Sequence, residues 1–188
     1  MFIERVKRFS DATLDKFQQT SAEHVRLINY LKDSLKNGWN KNVVISGACG
    51  VGKTYLAFAL IRATSKINSK YPNYWDSKIF FYIQARQIFE KIKQSFNQQS
   101  DYDILENEKK APVLIIDEIG VQKASDFEKE ILFEIFDYRY GNCLPTIVLS
   151  NLTPPEIAKV IGSRNADRLF GKCDFFYLTA PSGRKIYD

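Results

Sequence analysis

The chain has 188 residues, 45% of them hydrophobic and 14% aromatic, enough apolar surface for a buried core and too much for a disordered polymer. No run reaches the ~20 uncharged apolar residues that a membrane span needs, and the charged opening Met1-Phe2-Ile3-Glu4-Arg5-Val6-Lys7-Arg8 has no apolar signal segment, so a cytoplasmic protein without a membrane partner is expected. The net charge of +5 is compatible with a polyanionic partner without requiring one, and His24 with the dispersed Cys49, Cys143 and Cys173 makes no structural zinc set.

Unpaired cysteines suit a reducing compartment, and each reads as a small buried side chain. Residues 1–19 show no clear periodicity. Thr20-Ser21-Ala22-Glu23 reads as a capping box, with Val25, Ile28, Leu31 and Leu35 on the helix face that follows. Asn37-Gly38 ends that helix, because glycine tolerates the left-handed cap position. Val43-Val44-Ile45-Ser46 reads as a buried strand, and Leu56, Leu60, Ala63 and Ile67 mark the next helix face.

Ile79 to Ile83 is a second strand, followed by a helix with Ile88, Phe89, Ile92 and Phe96 inward. The polar stretch Asn97 to Lys110 reads as helix ends and loop. Val113 to Ile116 is a third strand, opened by Pro112, where a missing N–H is tolerable. Phe127 to Tyr140 is a long helix, Thr146 to Leu149 a fourth strand, Pro154 to Ile161 a short helix and Phe175 to Leu178 a fifth strand. Strands alternating with helices, and apolar on both faces, predict a parallel sheet covered on both sides.

Gly47-Ala48-Cys49-Gly50-Val51-Gly52-Lys53-Thr54 fits G-x-x-x-x-G-K-[ST] at every fixed position, between a predicted strand and a predicted helix. Glycines there let backbone N–H groups turn inward around a phosphate. Lys53 supplies a positive charge to the β- and γ-phosphates, the Thr54 hydroxyl can ligate Mg²⁺, and the helix N-terminus favours an anion. The third strand runs into adjacent carboxylates, Asp117 and Glu118. At the C-terminal edge of a parallel sheet Asp117 is placed to hold Mg²⁺, and Glu118 to polarise a water for attack on the γ-phosphate. Asn151, beyond the fourth strand, can contact the γ-phosphate or that water, although Asn also suits the turn into Thr153-Pro154-Pro155.

Other phosphate-loop classes fit less well. A guanine-specific protein would carry N-K-x-D after the loop. The only Asn-Lys is Asn40-Lys41, before the loop and followed by Asn42-Val43. No Arg-rich lid of a small-molecule kinase is apparent. An ATPase is the expected class.

Val113-Leu114-Ile115-Ile116-Asp117-Glu118-Ile119-Gly120-Val121-Gln122 resembles the corresponding stretch of DnaC-type helicase loaders. So do Phe127 to Ile131 with Tyr138-Arg139-Tyr140, the run Leu144 to Asn151, and Gly162-Ser163-Arg164-Asn165-Ala166-Asp167-Arg168-Leu169 against a G-x-R-x-x-x-R-[LM] segment. The resemblance runs from about Arg8-Phe9 through most of the chain, and extends less specifically to DnaI loaders and IstB-type transposition ATPases. It implies an AAA+ core at 41–188, a three-layer α/β P-loop fold with a five-stranded parallel sheet and no C-terminal lid domain, after an N-terminal segment 1–40 with one helix. It also implies ATP and Mg²⁺ as cofactors, self-assembly into a ring or spiral, and delivery of a replicative DNA helicase onto single-stranded DNA. Under it Asn151 is a sensor of the γ-phosphate, Arg168 an arginine finger for a neighbouring subunit's ATP, and Arg164 a second arginine of that interface.

Two departures are expected. The larger N-terminal domain by which full loaders hold the helicase is not matched by segment 1–40, and the stretch after the fifth strand is too short for the helical lid of many AAA+ proteins, which DnaC-type loaders also lack. Single-stranded DNA contacts would fall on Lys91, Lys93, Phe89 and Phe96, although the two aromatics also sit at core spacing. An IstB-type transposition ATPase and a nucleotide-gated binding module with negligible hydrolysis are the alternatives.

Overall fold

The computed structural model describes residues 7–67, 75–76, 79–95, 104–120 and 124–179. In chain order the elements are α1 (Ala22–Asn37), β1 (Asn42–Gly47), α2 (Lys53–Thr64), β2 (Lys66–Ile67), β3 (Trp75–Asp76), β4 (Phe80–Gln84), α3 (Ala85–Ser95) and α4 (Glu106–Lys110). β5 (Val113–Ile119), α5 (Asp126–Gly141), β6 (Thr146–Ser150), α6 (Pro154–Ile161), α7 (Ser163–Phe170) and β7 (Cys173–Leu178) follow. The main sheet has the order β4-β5-β6-β1-β7, with all its pairs parallel; β2 and β3 form a separate antiparallel pair.

The sheet is apolar on both faces because its strands alternate between two cores. Val43, Ile45, Val113, Ile115, Ile147 and Leu149 pack with α1 and α2 residues such as Leu27, Leu31, Leu56 and Leu60. Val44, Leu114, Ile116 and Val148 pack with Leu132, Ile135, Ile157 and Leu169 from the helices on the other side. Burying a central β-branched strand on both faces removes each side chain from water, worth about 1.5–3 kcal/mol apiece before entropy is charged. This is the three-layer architecture that the alternating pattern predicts.

Several local expectations are corrected. Ser21, not Thr20, caps α1, its hydroxyl accepting from the His24 N–H; Thr20 instead meets the His24 ring, and no reciprocal Glu23 contact forms. The buried stripe of α1 is His24, Leu27, Ile28, Leu31 and Ser34, while Val25 is exposed. α2 ends at Thr64, so Ile67 lies in β2, and Ala63 is exposed. Cys49 and Cys143 are exposed and Cys173 is half-buried, so the expectation of three buried cysteines fails. Part of the predicted loop 97–110 is the helix α4.

α4 has a tertiary cause. Arg139 of α5 is fully buried, and its guanidinium donates to the carbonyls of Glu108, Lys109 and Ala111, where α4 ends. It also donates to Pro145 O and Thr146 Oγ1 at the entry to β6. Burial pushes the guanidinium down to about 9 from its usual range, yet each of its nitrogens has an acceptor, so the charge is solvated by carbonyl dipoles. Lys91 of α3 secures the same short helix through a 2.6 Å ion pair with the buried Glu108.

Candidate nucleotide site

β1 delivers the chain to Gly47, and α2 begins at Lys53. The intervening turn depends on missing side chains. A Cβ on Gly47 would stand 2.4 Å from the Leu178 carbonyl oxygen of β7, a contact no side chain tolerates. Gly52, the residue before α2, has φ +96°, and a Cβ there would stand 2.5 Å from Cε2 of Phe17. The Lys53 ammonium bridges the loop, donating to Gly47 O at 2.6 Å and Ala48 O at 2.8 Å.

The neighbouring helix turn brings Thr54 to the carboxylates. Its hydroxyl donates to Asp117 Oδ2 at 2.9 Å, and the same oxygen accepts from the Tyr82 hydroxyl at 2.7 Å. Asp117 is buried, whereas Glu118 is exposed. Successive side chains of a regular strand point to opposite faces, so two adjacent carboxylates should not share a site. β5 breaks that rule with a bulge. Ile116 pairs with Val148 and Ile119 with Ser150, so three steps along β5 match two along β6. Glu118 takes φ +64° within the bulge, and both carboxylates line one cavity.

Gln84, the last residue of β4 and the register partner of Asp117, donates its side-chain amide to Glu118 Oε2. β6 lies between β1 and β5, so the residue leaving its C-terminal end falls between phosphate loop and carboxylates. That residue is Asn151, exposed, with Nδ2 3.2 Å from Cys49 Sγ.

These groups surround a cavity of about 510 Å³. Cys49, Gly50, Val51, Gly52, Lys53 and Thr54 line it, together with Asp117, Glu118 and Asn151. Gly47 and Ala48 face Lys53 through their carbonyls instead. Thr54 and Asp117 offer hard oxygen donors side by side, the chemistry that suits Mg²⁺. The cavity is also lined by Arg8, Phe9, Phe17, Gln18 and Thr20, which precede α1 and follow no helix or strand period, and by His24, a polar member of the buried stripe of α1. Phe9 stacks on Phe58 and meets Tyr55 edge-on, and Phe17 packs edge-on against His24. Tyr82 and Gln84 also belong to the site, and their signal in the sequence is a pair of polar groups two apart at the C-terminal end of an otherwise apolar strand.

Arg164 and Arg168 do not line this cavity. Four residues apart on α7, they lie along one face against α5. Arg168 Nε donates to Asp137 at 2.8 Å and Nη1 to Asp167 at 2.8 Å, with the guanidinium 5.0 Å from the Tyr140 ring. Arg164 stands 3.9 Å over the Phe133 ring and 3.7 Å from Glu130. Of the residues read as candidate DNA contacts, Lys91 is held by Glu108, Phe89 packs partly buried against the core, Lys93 is exposed, and Phe96 lies outside the described residues.

The profile of IstB-like ATP binding proteins matches residues 4–185. The chain belongs to that family. It is 31% identical over 128 residues to the replicative helicase loader DnaC of Escherichia coli strain K12, covering 67% of this chain and 49% of that protein. It is 25% identical over 151 residues to the replicative helicase loader DnaI of Bacillus subtilis strain 168, covering 78% and 46%. The chain thus spans about half the length of these curated relatives.

A crystal structure of the DnaC helicase loader superposes with a TM-score of 0.76 at 21% identity, over 92% of this chain and 99% of that one. AMPPCP-bound DnaA from Aquifex aeolicus gives 0.70 at 20%, over 88% and 50%. At such identities the structures establish the fold, a P-loop core with a five-stranded parallel sheet, and the family makes the chain an IstB-like ATP-binding protein. No helix among the described residues is long and apolar enough to cross a membrane.

Proposed function

We propose that the protein hydrolyses ATP and uses the cycle to help place a replicative ring helicase on single-stranded DNA. The observation that carries the ATPase part is the 2.9 Å contact between Thr54 and Asp117, which joins the phosphate loop to the carboxylate strand across one cavity. The loader part rests on kinship with DnaC and DnaI, proteins named as replicative helicase loaders.

In this reading the turn N–H groups and Lys53 bind the β- and γ-phosphates, and the α2 N-terminus adds its dipole. Thr54 and Asp117 would hold Mg²⁺, which when bound neutralises charge on the phosphate oxygens. Glu118, held by Gln84, orients the attacking water and takes its proton. Asn151 holds that water or a γ-oxygen. Arg168, steadied by Asp137, reaches the ATP of an adjoining copy in a ring or spiral, and Arg164 supports the same interface; a guanidinium there stabilises charge spreading onto phosphate oxygens.

Multiple-turnover phosphate release, with and without single-stranded DNA, tests the hydrolysis. The expected result is turnover well above that of Glu118→Gln. Turnover no faster than that variant would instead favour a nucleotide-gated binding module. The family name keeps a transposition ATPase in view. Pull-down against a replicative helicase and against a transposase separates the two, and retention of the transposase alone would defeat the loader assignment.

A further inference from the structure

His24 occupies an unusual position beside the phosphate loop. It is 2% exposed, on the first turn of α1, and is among the residues lining the same cavity as Lys53 and Thr54. Phe17 links the two regions. One edge of its ring lies against Gly52 at the start of α2, and its ring centroid is 5.2 Å from that of His24.

The hydrogen bonds of the ring determine where its proton sits. The backbone N–H of Thr20 approaches His24 Nδ1 at 3.1 Å. An amide N–H can only donate, so Nδ1 is the acceptor and the ring proton is carried by Nε2. Burial lowers the His24 pKa, which favours the neutral ring, against a smaller raising effect of Glu23. Nε2 is buried and has no hydrogen-bond partner among the described residues. An unused buried donor costs roughly 1–3 kcal/mol, so a partner from outside the chain would recover it.

The surroundings select the class of partner. Phe9 and Phe17 give the cavity aromatic walls, and the anion-binding turn lies one side chain away. A purine base carries unprotonated ring nitrogens and stacks on aromatic rings, and its triphosphate would extend toward Lys53. We propose that the Nε2–H of His24 donates to a ring nitrogen of the adenine of bound ATP, making His24 a specificity-determining residue of the site. This deepens the ATP reading and rests on it.

The test compares dissociation constants of the full chain for ATP and for its 1-deaza, 3-deaza and 7-deaza analogues, each of which replaces one ring nitrogen by C–H. The wild type should bind one analogue about tenfold more weakly than ATP and the other two about equally with it. His24→Asn keeps an acceptor for Thr20 near the Nδ1 position and lacks the Nε2 donor. It should bind ATP about tenfold more weakly and no longer distinguish that analogue. His24→Gln returns a donor near the Nε2 position and should recover most of the affinity and the preference. Melting of each variant without nucleotide checks the fold.

Equal binding of all three analogues by the wild type would overturn the inference alone, as would an unchanged preference in His24→Asn. Failure of the wild type to bind ATP, or ATP binding indifferent to Lys53→Ala, would overturn the ATPase reading and this inference with it.

Discussion

The phosphate loop and the N-terminal segment line one cavity, but they reach it by different physics. The loop is local: eight consecutive residues whose glycine dihedrals and following helix form the turn wherever a strand feeds it. The segment is tertiary: Phe9, Phe17, Thr20 and His24 are spread over sixteen positions and come together only by packing on Tyr55, Phe58 and each other. Where geometry is set by backbone chemistry, spacing reveals it. Where it is set by who packs on whom, no spacing does. A similar contrast separates both regions from Arg164 and Arg168, which a single copy of the chain keeps away from its own cavity.

These differences can be broken experimentally. Lys53→Ala should have the largest effect, lowering ATP affinity by at least about 10³-fold, measured by titration with a fluorescent nucleotide. Arg168→Ala should bind ATP normally and lose roughly 10³-fold in turnover at protein concentrations where copies assemble. Wild-type turnover from that variant at high concentration would return the arginine to a purely structural ion pair with Asp137. Glu118→Gln should retain binding and lose about 10²-fold in turnover. The smallest effect joins the two linings. Gly52→Ala sets a Cβ against Phe17, so Phe17→Leu should relieve part of its destabilisation, with a coupling of about 1 kcal/mol in a denaturation cycle. Strict additivity would mean that Phe17 does not constrain the loop.

Most of the layered fold was legible in the sequence. Val43 to Ser46, Val113 to Ile116 and Thr146 to Leu149 are continuous apolar runs, and only a strand buried on both faces has use for one. The loop, Asp117 and Asn151 were legible because each sits at a strand end facing the same edge. α4 was not legible: Glu106 to Lys110 is all polar, and its helix is completed by Arg139, far away in sequence. The face of α1 differs from the one its apolar spacing predicts, since His24 and Ser34 are polar groups in the buried stripe. Gln84 and Tyr82 do carry a signal, since they are polar residues at the C-terminal end of β4 just as Asp117 is at that of β5.

The bulge in β5 also bears on how this site balances stability against activity. A φ of +64° at Glu118 is a conformation that glycine or asparagine adopts with less strain, and for a glutamate it stores ~1 kcal/mol. Replacing Glu118 by glycine should therefore raise the melting temperature while ending hydrolysis. The residue proposed for the chemistry stands where the fold alone would choose another, so a screen for thermal tolerance would tend to discard it first.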